Sequence, residues 1–421
     1  MKKNVLKSLL LSAMAFFCSS SLFSAEFEGD LLSKPFRIFE LGIDANAAFA
    51  NSNFMLKDIL KKNLVFDLKK IASDVPEDGF SLGLYNKESV FINLNLSSRF
   101  RFSLFTNVET IGRFNIGKDM FDILADGLSV GESRTSDVDG AAESYICIGS
   151  SFQTIIKDIG IKFTPTYFAP IFYIPKTTAT ASVKSDSSGA IRAEAEANID
   201  IYTALDMHDF IENGKHFDDL NLSAGRLLSH GGFDFSIEAE RNWLESLNAG
   251  LYTRIPLVAG TLKHKMSTRV WAYFYETNAL GYLNDTEEHG SDSGHDDFTY
   301  SNESRDIHRP FKLGLNATYM PFGDWFKIKP AIGFAVRNPY SAEATFYPEY
   351  ALDFRLSVVK HIFNFNLGTA YQNQIFQQRF GFSFNFRAIE IMAQASWCGT
   401  TFVSSFKRDG YGAFVGLRFG W

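Results

Sequence analysis

The sequence predicts an all-β fold: a transmembrane antiparallel β-barrel of about 14 strands, with 12 to 18 allowed, and an N-terminal plug containing short helices. Three observations predict it. First, apolar and polar residues alternate along many segments. In 376–386, Phe376, Phe380, Phe382, Phe384 and Phe386 alternate with Gln377, Arg379, Gly381, Ser383 and Asn385. Such a strand has one greasy face and one wet face. Second, Phe dominates the greasy positions, and the segments run roughly 9 to 12 residues, the span of a tilted membrane strand. Third, the chain ends on an alternating set, Tyr411, Ala413, Val415, Leu417, Phe419 and Trp421, that closes on an aromatic residue. A soluble sandwich also alternates, but its strands are shorter and its wet face is the outer one.

Composition excludes other classes. Of 421 residues, 46 % are hydrophobic and 21 % charged, so the chain is not a disordered polyelectrolyte. The net charge of −7 leaves no basic footprint for nucleic acid. A mean hydropathy of −0.07 is too polar for a bundle of membrane helices. No run of about 18 apolar residues follows the first 25 residues. H-E-x-x-H and a phosphate-cradling loop are missing. The expectation is therefore no enzyme, no catalytic residue, no cofactor and no metal centre.

Residues 1–25 read as a secretory signal peptide. Lys2, Lys3 and Lys7 precede an apolar run from Leu9 to Phe17 and a cleavage region ending at Ala25. The mature chain keeps Cys147 and Cys398. Two thiols are not a disulfide framework, though one bridge between them stays open. Residues 26–75 read as a plug or hatch segment ahead of a barrel over 76–421. Within it, 36–50 is a first strand or an extended piece of plug, and 54–72 is helical. Leu56, Ile59, Leu60 and Leu64 fall at helical spacing, with Lys57, Lys61 and Lys62 between them. This segment is too short for a core of its own and must borrow the barrel's.

Strands are expected near 89–97 and 99–115, a helical piece over 119–126 and a polar loop over 129–140. Strands follow near 143–157, 159–174, 178–184 and 190–204, then a loop over 206–219. Further strands lie near 220–228, 232–241, 246–255 and 267–276. The most polar stretch, 284–309, separates them from a compact last third. That third carries strands near 311–320, 326–337, 345–358, 361–373, 376–386, 388–399 and 410–420. Its turns are short, at Lys360–His361, Gln374–Ile375 and Arg387. The acidic run from Glu287 to Asp297, with His289 and His295, offers ligands to a divalent cation. It lacks the fixed spacing of a calcium loop and reads as a solvated outer loop.

The wet faces carry the functional lead. Arg99, Arg101, Arg192, Arg355, Arg379 and Arg387 are expected to share a lumen with Glu194, Glu196, Asp234, Glu238, Glu240, Asp353 and Glu390. Such charges either set the selectivity of a pore or pair with one another and hold a plug.

The N-terminal layout resembles the FadL-type long-chain fatty acid outer-membrane transporter family, in its spirochaetal form. The resemblance rests on a signal peptide followed by the small-residue stretch from Gly42 to Asn53, on helical pieces before and among the early strands, and on a Phe-rich barrel ending in an aromatic residue. The family's hatch often carries Asn-Pro-Ala after such a run; here Asn51-Ser52-Asn53-Phe54 stands there without the proline. The resemblance implies a hatch that includes Asn46, Asn51, Asn53, Phe54, Leu56 and Leu60. It also implies a hydrophobic small-molecule ligand that leaves sideways through the wall into outer-membrane lipid. The aromatic C-terminus resembles the signal read by the barrel assembly machinery. A general diffusion porin and a surface adhesin are the alternative functions.

Overall fold

The computed structural model describes residues 31–33, 37–52, 72–77, 79–126, 129, 131–185, 187, 190–208, 224–276, 289–359, 362–407 and 409–421. The signal-peptide reading of 1–25, nearly all of the helix expected over 54–72, and with it Asn53, Phe54, Leu56 and Leu60, lie outside the described residues.

The wall begins with β1 (Phe39–Asn51), β2 (Phe80–Asn95) and β3 (Phe100–Ile116). β1 pairs with β2 along its whole length and, on its other edge, with the last strand of the chain. Residues 39–51 are thus wall, which corrects their assignment to a plug over 26–75. The reason lies in small residues that still alternate. Ile43, Ala45, Ala47 and Phe49 face out, while Asp44, Asn46, Ala48 and Ala50 are buried on the inner side. Of the same N-terminal segment, residue Leu31 does sit inside the barrel. Its N–H donates to Glu240 at 2.6 Å, and Gln153 donates to its carbonyl at 2.6 Å.

Helix α1 (Lys118–Asp126) follows where the sequence places it. β4 (Ser133–Ile156) and β5 (Ile159–Ser185) then run for 24 and 27 residues, about twice what a bilayer requires. Their outer halves pair with each other beyond the wall, Ser133 with Lys184 through Gly140 with Thr177. The loop expected over 129–140 is therefore mostly strand, and 159–174 and 178–184 are one strand. β6 (Ile191–Thr203) pairs with the outer half of β5, so it too leaves the wall. Helix α2 (Ala224–Leu228) replaces most of the strand expected at 220–228.

The wall resumes with β7 (Gly232–Leu244) and β8 (Leu247–Val258). A long connection then carries β9 (Gly260–Leu262), β10 (His264–Glu276), β11 (His289–His295), β12 (Thr299–Ser301) and β13 (Arg305–Ile307). β10 extends the outer sheet by pairing with β6, and β11 and β12 pair with β10. β9 and β13 form a separate two-stranded sheet. β14 (Phe311–Tyr319), the short β15 (Pro321–Asp324), β16 (Phe326–Arg337), β17 (Thr345–Val359), β18 (Phe363–Gln372), β19 (Ile375–Phe386) and β20 (Ile389–Gly399) follow. Helix α3 (Phe402–Lys407) precedes the closing strand β21 (Gly410–Gly420).

Among the described residues 14 strands close the ring, each antiparallel to both neighbours. The order is β1, β2, β3, β4, β5, β7, β8, β14, β16, β17, β18, β19, β20, β21 and back to β1. Closure leaves the wall no sheet edge, so its backbone donors and acceptors pair within it, apart from a gap between β14 and β16. The seam is held at its inner end by the Ile38 N–H, which donates to the Trp421 carbonyl at 2.7 Å.

The two faces of β19 decide between barrel and sandwich. Phe380, Phe382, Phe384 and Phe386 are exposed, whereas Gln377, Arg379 and Ser383 are buried. The greasy face points away from the enclosed space, which is the arrangement of a transmembrane barrel. Trp243, Trp325 and Trp421 are exposed near one end, and Trp397 and Tyr411 near the other, as two interfacial girdles require. One end has mostly tight connections, such as 157–158 between β4 and β5 and 387–388 between β19 and β20. The other carries the long connections and the outer sheet. One tight turn departs from this rule. Asn373 and Gln374 both have positive φ, 50° and 63°, and join β18 to β19 at the long-loop end. That is the backbone of a two-residue hairpin turn matched to strand twist. Cys147 and Cys398 are both free and buried, so the bridge left open above does not form.

Candidate functional site

The site is the lumen, and its two halves differ. The outer half is filled from the connection between β8 and β14. β9 and β13 bring Leu262 and Ile307 into contact with Tyr145, Cys147, Phe168, Tyr173 and Tyr202, and all seven are buried. The Thr261 hydroxyl donates to Asp306 at 2.6 Å and ties the two short strands together. Immediately afterwards Arg309 enters the lumen. Its guanidinium donates to Asp234 of β7 at 2.7 Å and to Glu109 of β3 at 2.8 Å. A planar fork reaches two separated carboxylates at once, which an ammonium does less well. Nearby, Lys312 pairs with Glu349 at 3.0 Å and Arg337 with Glu143 at 2.8 Å. The Arg309 pairs tie the connection to β3 and β7, while the other two pairs join wall strands that are not neighbours in the ring.

The inner half holds a cavity of about 580 Å³. Eight cations line it: Arg37, Lys87, Arg101, Lys162, Arg254, Arg309, Arg355 and Arg418. Four carboxylates line it with them: Glu40, Asp44, Glu238 and Glu390. A chain of net charge −7 thus places more cations than carboxylates around this cavity. Several pairs are internal to the cavity: Arg37 with Glu40 at 2.7 Å and Glu390 at 3.3 Å, and Lys162 with Glu238 at 2.7 Å. One wall patch is apolar. Phe91 stands opposite Gly42, and Phe105 opposite Gly149, and the two rings are cross-strand neighbours. A Cβ on Gly42 would come within 2.1 Å of the Phe91 ring, and one on Gly149 within 2.3 Å of Phe105. Only glycine lets these rings lie flat on the wall. The Arg418 guanidinium sits 5.5 Å from the centre of the Phe91 ring, within cation–π range.

A second cavity of about 200 Å³ opens against β14 and β16. There the ladder is interrupted between the pairs Asn316–Ala331 and Tyr319–Ile328. Ala317, Thr318, Lys329 and Pro330 line the gap, and proline has no N–H to donate to the ladder. Arg355, Glu390 and Arg418 border both cavities.

Of the charges expected in the lumen, Arg101 and Arg355 line the inner cavity, and Arg379 lines the side cavity. Arg101 donates to the carbonyl of Ser33. Arg379 donates to both oxygens of Asp353, at 2.7 and 2.8 Å. Five others are corrected. Arg99 lies in the tight turn between β2 and β3, and Arg387 in the one between β19 and β20, and both are exposed. Arg192, Glu194 and Glu196 lie on β6, outside the wall. Alternation there reflects a two-faced sheet in water, and period two cannot tell that from a lumen. Arg192 pairs with Glu194 at 2.6 Å, and Glu196 takes two bonds from Arg269 at 2.7 Å. Those bonds lower the Glu196 carboxyl below its usual range. The Lys265 ammonium, followed by the Tyr202 hydroxyl, does the same to Glu303 at the foot of this sheet. Of the hatch candidates described, Asn46 is a buried inward residue of β1, and Asn51 ends that strand and donates to the Asp409 carbonyl. Among the described residues no group of three or more His, Cys, Asp or Glu is placed to hold a metal.

Arg309 and the Phe91–Phe105 patch were not singled out from sequence. Arg309 lies in a stretch that reads as a polar loop. The patch had a signal: Gly42 and Gly149 each sit inside a strand pattern, where glycine marks a close approach.

No protein-family profile matches the sequence, and no curated protein does. Solved structures similar to it include the toluene transporter TodX of Pseudomonas putida, at 10% identity and a TM-score of 0.42, with 96% of this chain and 95% of that chain covered. The toluene transporter TbuX of Ralstonia pickettii is similar at 8% identity and a TM-score of 0.39, over 93% of each chain. The translocator domain of the autotransporter NalP from Neisseria meningitidis has 7% identity and a TM-score of 0.32, covering 100% of this chain and 96% of that chain. Likenesses this distant carry no activity across to this chain.

Proposed function

We propose that this chain is an outer-membrane transporter that takes up long-chain fatty acids or other hydrophobic small molecules through an occluded barrel with a lateral exit. The observation that carries the reading is the occlusion itself. Leu262 and Ile307 seal against the aromatic cluster, and Arg309 locks the connection to Glu109 and Asp234. A general diffusion porin needs a through-passage, whereas a carrier of apolar cargo gains nothing from open water. The Phe91 and Phe105 rings supply an apolar strip for a hydrocarbon body. The interrupted ladder at Pro330 supports a side exit, because fewer hydrogen bonds must part there. The long-loop end would face outward and the tight-turn end the periplasm. Outer-membrane lipid and the barrel assembly machinery would be the partners. The polar inner cavity favours a second reading, a diffusion porin gated at its outer end.

One experiment separates the two. Residues 260–307 are replaced by a short Gly-Ser linker, and single-channel conductance and binding of a fluorescent fatty acid are measured. The transporter reading expects low conductance from the intact protein, a rise on replacement, and weakened fatty-acid binding. Porin-like conductance from the intact protein, unchanged by the replacement, with no fatty-acid binding, replaces it with the porin reading.

A further inference from the structure

We infer that α3 is an interfacial helix, seated on the lipid side of the wall, that places Phe402, Val403 and Phe406 in the outer leaflet of the bilayer. The inference rests on the reading of the wall as a membrane barrel and is independent of what the lumen carries.

Two observations put α3 on the lipid side. On β19, Gln378 alternates with Phe376 and Phe380 and so points outward, and its side-chain amide donates to the Ser405 hydroxyl at 2.9 Å. On β20, Gly399 stands opposite Phe376 and faces the same way. A Cβ on Gly399 would collide with the Ser404 hydroxyl and the Ser405 backbone, so glycine is what leaves room for the helix. Trp397 stands opposite Gln378, which sets α3 at the level of the outer aromatic girdle.

The helix is polar towards the protein and apolar away from it. Ser404 and Ser405 are buried, whereas Phe402, Val403 and Phe406 are 48, 62 and 55 % exposed. A helix packed on a wall in water shows the reverse order. Both hydroxyls are satisfied without water: Ser404 donates to the Thr401 carbonyl at 2.9 Å and Ser405 to the Phe402 carbonyl at 2.6 Å. The apolar face is also continuous with the lipid-facing belt. The Phe402 ring lies 5.2 Å from that of Phe406 and 6.1 Å from that of Phe376. Phe376 in turn lies 4.2 Å from Tyr371, and Tyr371 lies 5.8 Å from Tyr350. This aromatic row runs from β17 to α3 along the outer rim, where the bilayer interface meets the barrel. A helix of this polarity and position lies in the plane of the interface, with its apolar side chains about 5–10 Å into the boundary between headgroups and acyl chains.

The test uses the full mature chain, reconstituted in phosphatidylcholine vesicles, with a photoreactive aromatic residue introduced at one position at a time. The variant of interest is Phe406→p-benzoylphenylalanine. Phe380 on the lipid-facing belt and Tyr273 on the outer sheet are replaced in the same way as references. After irradiation the mass of the intact protein is read. A gain of one phospholipid is expected for the Phe406 and Phe380 variants, and none for the Tyr273 variant. Val403→p-benzoylphenylalanine repeats the measurement, and serves on its own if the Phe406 variant fails to fold by heat-modifiable gel mobility. A lipid adduct at Phe380 with yields at Val403 and Phe406 no higher than at Tyr273 overturns the inference. So does an adduct at Val403 and Phe406 with a second copy of this chain in place of lipid. No lipid adduct at Phe380 overturns the membrane-barrel reading, and the inference falls with it. Photocrosslinking asks nothing of passage, so failed fatty-acid binding or transport leaves a positive result here intact.

Discussion

Replacing Arg309 by alanine removes the guanidinium that joins the occluding connection to both Glu109 and Asp234, at 2.8 and 2.7 Å. Arg309 and Glu109 are each 3 % exposed and Asp234 is 0 % exposed, so the substitution takes a buried cation away from two carboxylates that lie out of bulk water. Breaking a buried pair on one side costs about 3–5 kcal/mol. Water can follow the departing side chain from the inner cavity, so the lower end, about 3 kcal/mol, is expected. With an m-value of about 3 kcal/mol/M in urea, that shifts the unfolding midpoint down by about 1 M. The assay is urea unfolding in lipid vesicles, read by gel mobility and tryptophan fluorescence. Asp234→Asn provides the internal comparison, because it leaves the Arg309–Glu109 pair standing and should cost less. The same Arg309→Ala protein should show larger and more variable single-channel currents as the connection loosens. An unchanged midpoint and unchanged current would refute the argument that this charge triad holds the occlusion.

Two further outcomes follow from the fold. Phe380→Arg places a charge against lipid and should cost about 2–4 kcal/mol near mid-depth, whereas Asn385→Asp keeps an acceptor for Arg37, now at 2.8 Å, and should be mild; equal shifts in vesicle unfolding at the two positions would mean the faces are swapped. Deleting Phe419–Trp421 removes the Trp421 carbonyl that receives the N–H groups of Ile38 and Phe39, at 2.7 and 3.2 Å, and leaves the seam with β1 open; protease resistance and outer-membrane yield equal to the full chain would contradict that role.

Much of the wall was written in the local pattern. The alternation over 376–386, 363–371 and 411–421 fixes which residues face lipid, because period two allows a strand no other partition. The strand count followed from segment length, since a bilayer sets how long each crossing must be. What period two leaves open is what lies on the other side of the wet face. Arg192, Glu194 and Glu196 alternate as well as Arg379 does, yet they stand in water on β6 because β5 runs past the membrane and carries β6 with it. The small residues of 39–51 hid a wall strand, since alanine and asparagine give weak contrast between faces; only pairing with β2 and β21 makes it one. Arg309 looks, in sequence, like any cation of a polar loop. Its role comes from the meeting of three segments, at residues 109, 234 and 309, that are far apart along the chain. Local periodicity determines which way a side chain points; closure of the ring determines what it finds there.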